Sequence, residues 1–351
     1  MLAPVTHILP LTTIRRERFL PTPGRIVVRQ DQKVKPLDVV AEANLGQGHI
    51  ILDVSRILGV DIEDANELIQ CKVGDRVEKK QILAQRPGFV TQVVRAPQDA
   101  KVVALGGGQV LLEIGEGIFE LHAGIPGTIT RVISDRGVEI TVDGALVQGV
   151  WGNGRVDLGI MINLLASPDA VLSTQLLDIN LRGSVILAGH CADQDTLTTL
   201  NDLPVRGLIL GSISPALLST AMQMRFPVVV IDGFGQRNMN AIAFKLLTTN
   251  AKREVSLNAE TYDRQTGIRP EIIIPLPVSQ KPSAPRDVVS FTPGQQVRLC
   301  CNPHASEVGT LVNLKPGLIL LPSGLRMPAG DVQLESGTQV VVPLVNLEVI
   351  G

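Results

Sequence analysis

The sequence predicts a multidomain, mainly β protein with a central α/β domain, and three observations carry that prediction. After Ser167-Pro168 the apolar runs "SVILAGH", "RGLILGS" and "FPVVVIDG" alternate with "DQDTLTTLNDL", "SPALLSTAMQM" and "NMNAIAFKLL". Short buried strands separated by helices of this length indicate a small parallel sheet with crossover helices. Upstream, "DQKVKPLDVVAEA" (Asp31 to Ala43) and "GDRVEKKQILAQR" (Gly74 to Arg86) superimpose without a gap at an offset of 43, which marks a duplicated half-motif of two short strands around a turn. From residue 291 onward, short apolar runs are separated by Gly, Pro or Ser turns, the pattern of a small β-barrel. The expected division is 1–165, a β domain with a helical insert; 166–262, the α/β domain; 263–290, a proline-rich linker; and 291–351, the terminal barrel.

Taken in chain order, the segment between the two copies has helical spacing at Ile51, Val54, Ile57 and Leu58, and Asp61 is placed to cap a second short helix. "AKVVALGGGQVLLEIG" reads as two strands about Gly106-Gly107-Gly108, and "GTITRVISDRGVEITVDG" as a hairpin about Asp135-Arg136-Gly137. Pro270, Pro275, Pro277, Pro282, Pro285 and Pro293 are dense enough to disfavour both helix and central strand, so this stretch reads as extended linker.

Composition narrows the function. Thirty-two basic residues against thirty-four acidic ones leave a formal charge of −2, so no global field draws the chain to nucleic acid or acidic lipid. Aromatic residues make up only 3%, which disfavours base- and sugar-stacking surfaces. Cys71, Cys191, Cys300 and Cys301 show no disulfide framework of spacings, as expected in a reducing compartment. The first residues place apolar groups before basic ones, the reverse of a secretory signal, and no apolar run is long enough to span a bilayer. These features point to a cytoplasmic protein without a membrane segment.

"VGDRVEKKQILA" (Val73 to Ala84) and "VRAPQDAKVVAL" (Val94 to Leu105) resemble the paired strands of the barrel-sandwich hybrid found in lipoyl and biotinyl domains. The resemblance implies a hybrid fold within the first 165 residues. In the carriers of that family a modified lysine sits at a hairpin tip about eight residues before the proline of the "VxAP" strand; the corresponding position here, counted back from Pro97, is Phe89. Lys79 and Lys80 lie on the other hairpin. No lipoyl or biotinyl cofactor is therefore expected, and Arg86 and Phe89, on a turn stiffened by Pro87, become candidates for contact with a partner protein. "PGQQVRLCCNPHASEVGTLVNL" (Pro293 to Leu314) is similar to the KOW motif of SH3-like barrels, with Gly294, Val297, Gly309 and Leu311 in register and Ser306 where the motif has an inner glycine. A nucleic-acid role carried over from that resemblance would use Arg298, Lys315 and Arg326 on phosphates.

Other clusters are read against their simpler explanations. "CCNPH" (Cys300 to His304) offers soft ligands, but neighbouring cysteines on a strand point to opposite faces and a fourth ligand is missing, so no metal is expected. "GVWGNGRVDLG" lacks the Lys and Ser/Thr of a phosphate loop and reads as a tight turn burying Trp151. "RRER" (Arg15 to Arg18) reads as solvated surface. The carboxyl ends of the α/β strands bring His190, Ser212, Ser214, Asp232 and Asn238 to one crevice, a candidate ligand site. Asp193, Ser214 and Asn238 there also suit simple helix capping. Ser214, His190 and Asp232 have the residue types of a nucleophilic triad, but no "GxSxG" elbow accompanies them, and no catalytic residue is assigned. The leading expectation is a non-enzymatic scaffold or adaptor docking a partner protein. A nucleic-acid-associated KOW-type factor is the first alternative, and a small-molecule-binding or enzymatic α/β domain the second.

Overall fold

Apolar residues on the three central strands, Ser184–Cys191, Gly207–Ile213 and Val228–Phe234, divide by parity between two cores. Val185, Leu187, Ile209, Val229 and Ile231 enter one cluster, and Ile186, Ala188, Leu208, Leu210, Val228 and Val230 the other. A sheet buried on both faces explains the continuous apolar runs. The structure is a computed structural model describing residues 2–44, 48–88, 91–114, 118–263 and 265–351. Strands hold 46% of the residues and helices 14%, so the protein is mainly β, with several sheets and no closed barrel among the described residues. The three strands run parallel. The helices Gln194–Asp202 and Leu218–Gln223 cover one face through Leu197, Leu200 and Ala221; Ala241–Thr249 covers the other through Ala243, Leu246 and Leu247.

This sheet does not stop where the sequence suggested. Val156–Asn163 lies parallel to Ser184–Cys191 and antiparallel to Glu254–Asn258. The ladder then continues through Glu271–Pro275 to Gly137–Gln148, which also carries Ile8–Phe19 and Gly127–Ile133. One eleven-stranded sheet therefore spans the β and α/β regions. The supposed linker contributes a buried central strand, Glu271–Pro275. Its prolines misled because Pro270 and Pro275 bracket the Ile272–Ile274 core, where strand-end proline is tolerated. Opposite Pro275 stands Gly144, where an added Cβ would lie 2.2 Å from the Ile274 carbonyl oxygen; only glycine fits that approach.

The internal repeat is more complete than its sequence. Lys35 N–H donates to the Asp38 side chain at 2.8 Å, and Glu78 N–H donates to Gln81 at the same distance. One turn earlier, Arg29 N–H meets Gln32 at 3.0 Å and Lys72 N–H meets Asp75 at 2.8 Å. Ala41 pairs with Leu121 and Ala84 with Val94; Val34 pairs with Gly127 and Val77 with Ala100. Each copy thus has its own partner strands and its own core, one around Val34, Val40 and Ile129, the other around Val77, Leu83 and Val102. The two segments were expected to be duplicated half-motifs of one hybrid. They are instead two complete units, the second nested inside the first. "FELHAGIPGTI" (Phe119 to Ile129) is the matching partner of "QVVRAPQDAKV" (Gln92 to Val102), too divergent in side chains to be seen before the register was known.

The nested unit also holds the short helices Val54–Leu58 and Ile62–Leu68. Asp53 caps the first by accepting from Arg56 N–H at 3.0 Å; Asp61 occupies the cap position of the second without a side-chain bond. Ile51, expected in the first helix, lies on the strand Gly48–Asp53, paired with Gln109–Ile114.

At the C-terminus, Gln296–Leu299, Val308–Leu314, Ala329–Leu334 and Gln339–Pro343 form an antiparallel meander. A 3-10 turn, Leu344–Asn346, leads into Leu347–Ile350, which returns to pair with Gln296–Leu299. The far edge of Leu347–Ile350 is taken by the chain's first strand, Leu2–Thr6, followed by Val288–Ser290. With that edge occupied, the strand pairing forms an open seven-stranded sheet. Val297, Leu299, Leu347 and Val349 build its own core, while Ile350 and Val308 on the opposite face pack onto the α/β sheet.

Candidate functional site

Where the C-terminal sheet meets the central one, a cavity of about 790 Å³ opens, and its walls are rich in charge. Strand alternation half-buries Arg16 and Arg18 of Ile8–Phe19 in the wall and leaves Arg15 and Glu17 exposed, Glu17 still bordering the cavity. The "RRER" run is thus only half solvated. Arg16 is bonded by Nε and Nη2 to the Glu271 carboxylate, which also accepts from Gln148 Nε2 at 2.9 Å. Arg18 donates Nη1 to Glu260 at 2.6 Å and Nε to the Ala123 carbonyl at 3.0 Å.

The third pair comes from the chain's distant parts. Arg269 donates Nη2 to Glu348 at 2.9 Å and lies 4.4 Å above the Tyr262 ring centre, a cation–π contact. Thr6 donates to the other Glu348 oxygen at 3.1 Å. Burial opposes the Glu348 charge, yet Arg269, Arg298 and the Thr6 hydroxyl together hold its carboxyl below the usual range. Cys300, also in the wall, has its thiol pushed up to about 12 by desolvation and the nearby Glu348 charge. At neutral pH it is a thiol, the less nucleophilic form.

Arg298, 2% exposed, leaves the C-terminal sheet and donates Nη2 to Asp232 at 3.3 Å and to the Ile231 carbonyl at 3.4 Å. Burial pushes the Asp232 carboxyl up; Arg298 and the Asn240 N–H, 2.8 Å away, pull against that rise. Nε and Nη1 of Arg298 have no acceptor among the described residues. Beside this pair, Gly233 faces Ser306, and an added Cβ would stand 2.8 Å from the Ser306 hydroxyl.

These contacts dispose of several expected groupings. His190 Nδ1 and Ser212 Oγ do meet, at 2.9 Å, with Ser212 also donating to the Arg237 carbonyl. Burial keeps the His190 ring below its ordinary pKa, favouring its neutral form. Asp232 is turned to Arg298 and Asn240, away from any triad with His190. Ser214 is half-buried without a side-chain cap bond, Asn238 is exposed, and the helix Ala241–Thr249 is capped by Asn240 instead. Asp193 does cap its helix. The strand-end crevice near Asp232 is therefore filled by the chain's own arginine.

Arg298 is likewise withdrawn from any surface it was expected to share with Lys315 and Arg326. Lys315 pairs with Asp331 at 2.8 Å, and Arg326 is exposed on the small hairpin Ile319–Leu320 with Arg326–Met327. Arg86 donates Nη1 to the Leu58 carbonyl at 2.9 Å, closing the end of a helix in its own unit. Phe89 lies outside the described residues. Among the described residues no group of three or more His, Cys, Asp or Glu is arranged to hold a metal ion, and His304 meets Glu307 at 3.1 Å. Trp151 is half-buried against the helix-covered core. Among the described residues no helix is long and apolar enough to cross a membrane.

Sequence reasoning missed Arg16, Arg18, Tyr262, Arg269, Glu271 and Glu348. The period-two alternation of "RRERF" was the available signal for the first two; the others converge only through the fold. No family model matches the chain, and no curated protein matches it.

Proposed function

We propose that the protein is a non-enzymatic cytoplasmic adaptor that receives a partner protein on the nested unit, residues 48–114. The observation behind this reading is the way that unit is attached. It has its own core and sheets, and it follows the paired strands Val39–Asn44 and Ile118–His122, with Asn44 opposite Ile118 and Gly48 opposite Ile114. Such a module is free to carry a binding surface without disturbing the central sheet. Ile57 and Ile62 are 50% and 54% exposed on its two helices, where Asp61, Glu63, Asp64 and Glu67 outnumber the exposed Arg56. An apolar centre with an acidic rim fits a partner whose apolar patch is flanked by basic residues.

We read the nested unit and its frame as lipoyl-like folds without a modified lysine, and the terminal sheet as an SH3-like unit. The strand order and the 3-10 turn before the last strand support the second reading, as does the left-handed Ser306, φ 67°, at the motif's glycine position. The nucleic-acid alternative is weakened because Arg298 is enclosed and Lys315 is paired.

Pull-down with the immobilised full chain tests the adaptor role. The native protein should retain a specific protein, and the Ile57→Glu, Ile62→Glu double variant, with unchanged thermal unfolding, should lose it. No enrichment over control, or equal retention by the variant, would sink this reading.

A further inference from the structure

In the buried part of the cavity wall the carboxylates are engaged, while some guanidinium donors are not. Glu271, Glu260 and Glu348 are each met by a guanidinium, with Gln148 and Thr6 adding bonds to two of them. On the donor side, Nε and Nη1 of Arg298 have no acceptor among the described residues. Arg269, 6% exposed, engages its partners Glu348 and Tyr262 through Nη2 alone among the described residues. The other orphaned buried atoms, on Ser256 and Gln296, do not line the cavity. A buried guanidinium with bare N–H groups is among the less favourable arrangements a fold can hold, so an oxygen-bearing occupant is called for.

Arg16–Glu271, Arg18–Glu260 and Arg269–Glu348 pair off within the wall, Arg298 pairs with Asp232 beside it, and two further carboxylates of the wall, Glu17 and Asp287, meet Arg131 and His7. Long-range attraction therefore does not select the occupant; unfilled donors do. The volume, about 790 Å³, suits a small molecule. We infer that the cavity binds a small oxyanion-bearing molecule, a carboxylate or a phosphate, whose oxygens complete the guanidiniums of Arg298 and Arg269. This site is separate from the nested unit and does not depend on the adaptor reading.

Tyr262 is the chain's one tyrosine and it lines the cavity, so 3-fluorotyrosine incorporated into the full-length protein gives a single fluorine resonance at the site. Inorganic phosphate, succinate and the uncharged analogue succinamide are titrated at constant ionic strength. Phosphate or succinate should shift the resonance saturably while succinamide does not, and whichever of the two acts identifies the oxyanion. Arg269→Lys retains the charge but loses the guanidinium donors; it should weaken that binding by about tenfold or more. Should this variant unfold, the double variant D232N/R298M, which removes the buried pair together, takes its place with the same expected loss. A flat titration with both anions overturns the proposal, as does an equal response to succinamide or undiminished affinity in a folded variant.

Discussion

Asp232, at the carboxyl end of the strand Val228–Phe234, and Arg298, on the face of the C-terminal sheet turned to the α/β sheet, meet at 3.3 Å with both side chains closed to solvent. This contact joins the last strands of the chain to the α/β sheet. It occupies the crevice where a ligand was first expected, and it withdraws an arginine from the surface where a phosphate was.

A buried pair of this kind is far more sensitive to losing one partner than to losing both. Arg298→Met alone should destabilise the protein by about 3–5 kcal/mol, because Asp232 is left buried without its cation. D232N/R298M should be milder than the sum of its single variants. Urea unfolding of the four proteins measures the coupling, and additive losses would mean that the two groups do not interact.

Stability should fall on acidification, in two stages. His190 and His7 are held below their ordinary value of 6.5, mainly by burial. Their contribution is complete above that value and is lost as pH drops through it toward the folded pKa. Glu348 is held below its ordinary 4.5, so its contribution is present above 4.5 and disappears as pH falls through the lower folded value. Asp232, raised above 3.8, acts in the opposite sense: its contribution is present below 3.8 and is lost as pH rises through the folded value. The histidines and Glu348 together give a melting temperature that declines from neutral pH downward, with Asp232 opposing it in the acid limb. A Glu348→Gln variant should show a shallower decline in the acid limb of a thermal-melt series.

The nested unit should be removable. Asn44 and Ile118 stand opposite each other on antiparallel strands, so replacing residues 45–117 with a two-residue Asn-Gly turn matches hairpin geometry. The remaining chain should keep its cooperative unfolding and its amide spectrum. Conversely, Leu112→Ala, inside the nested core, should cost about 2–5 kcal/mol and loosen that unit alone. Hydrogen exchange by residue distinguishes this from a global effect.

Ser306 holds φ at 67°, a left-handed conformation that strains any residue with a Cβ by roughly 1–2 kcal/mol. Ser306→Gly should therefore be tolerated, with a gain of up to about 1 kcal/mol after glycine's greater chain entropy is deducted. Ser306→Val should destabilise, since a branched side chain resists that conformation and crowds Gly233. Chemical unfolding of the two variants should give opposite signs.

Local pattern alone determined the mainly β character, the three apolar parallel strands with their helices, the terminal run of short strands and the paired turns at residues 31–43 and 74–86. Each depends on interactions within a few residues: period-two or helical burial, Asx-type turns and left-handed glycines. Tertiary structure decided the rest. Glu271–Pro275 became a central strand because neighbours on both sides supply ladder bonds that its flanking prolines do not interrupt. The first strand belongs with the last one because the edge of Leu347–Ile350 needed hydrogen-bond partners. The cavity gathers Arg16, Arg269, Arg298 and Glu348 from positions far apart in the chain, and a charge buried by tertiary packing selects its counter-charge through space, which leaves no periodicity in the sequence.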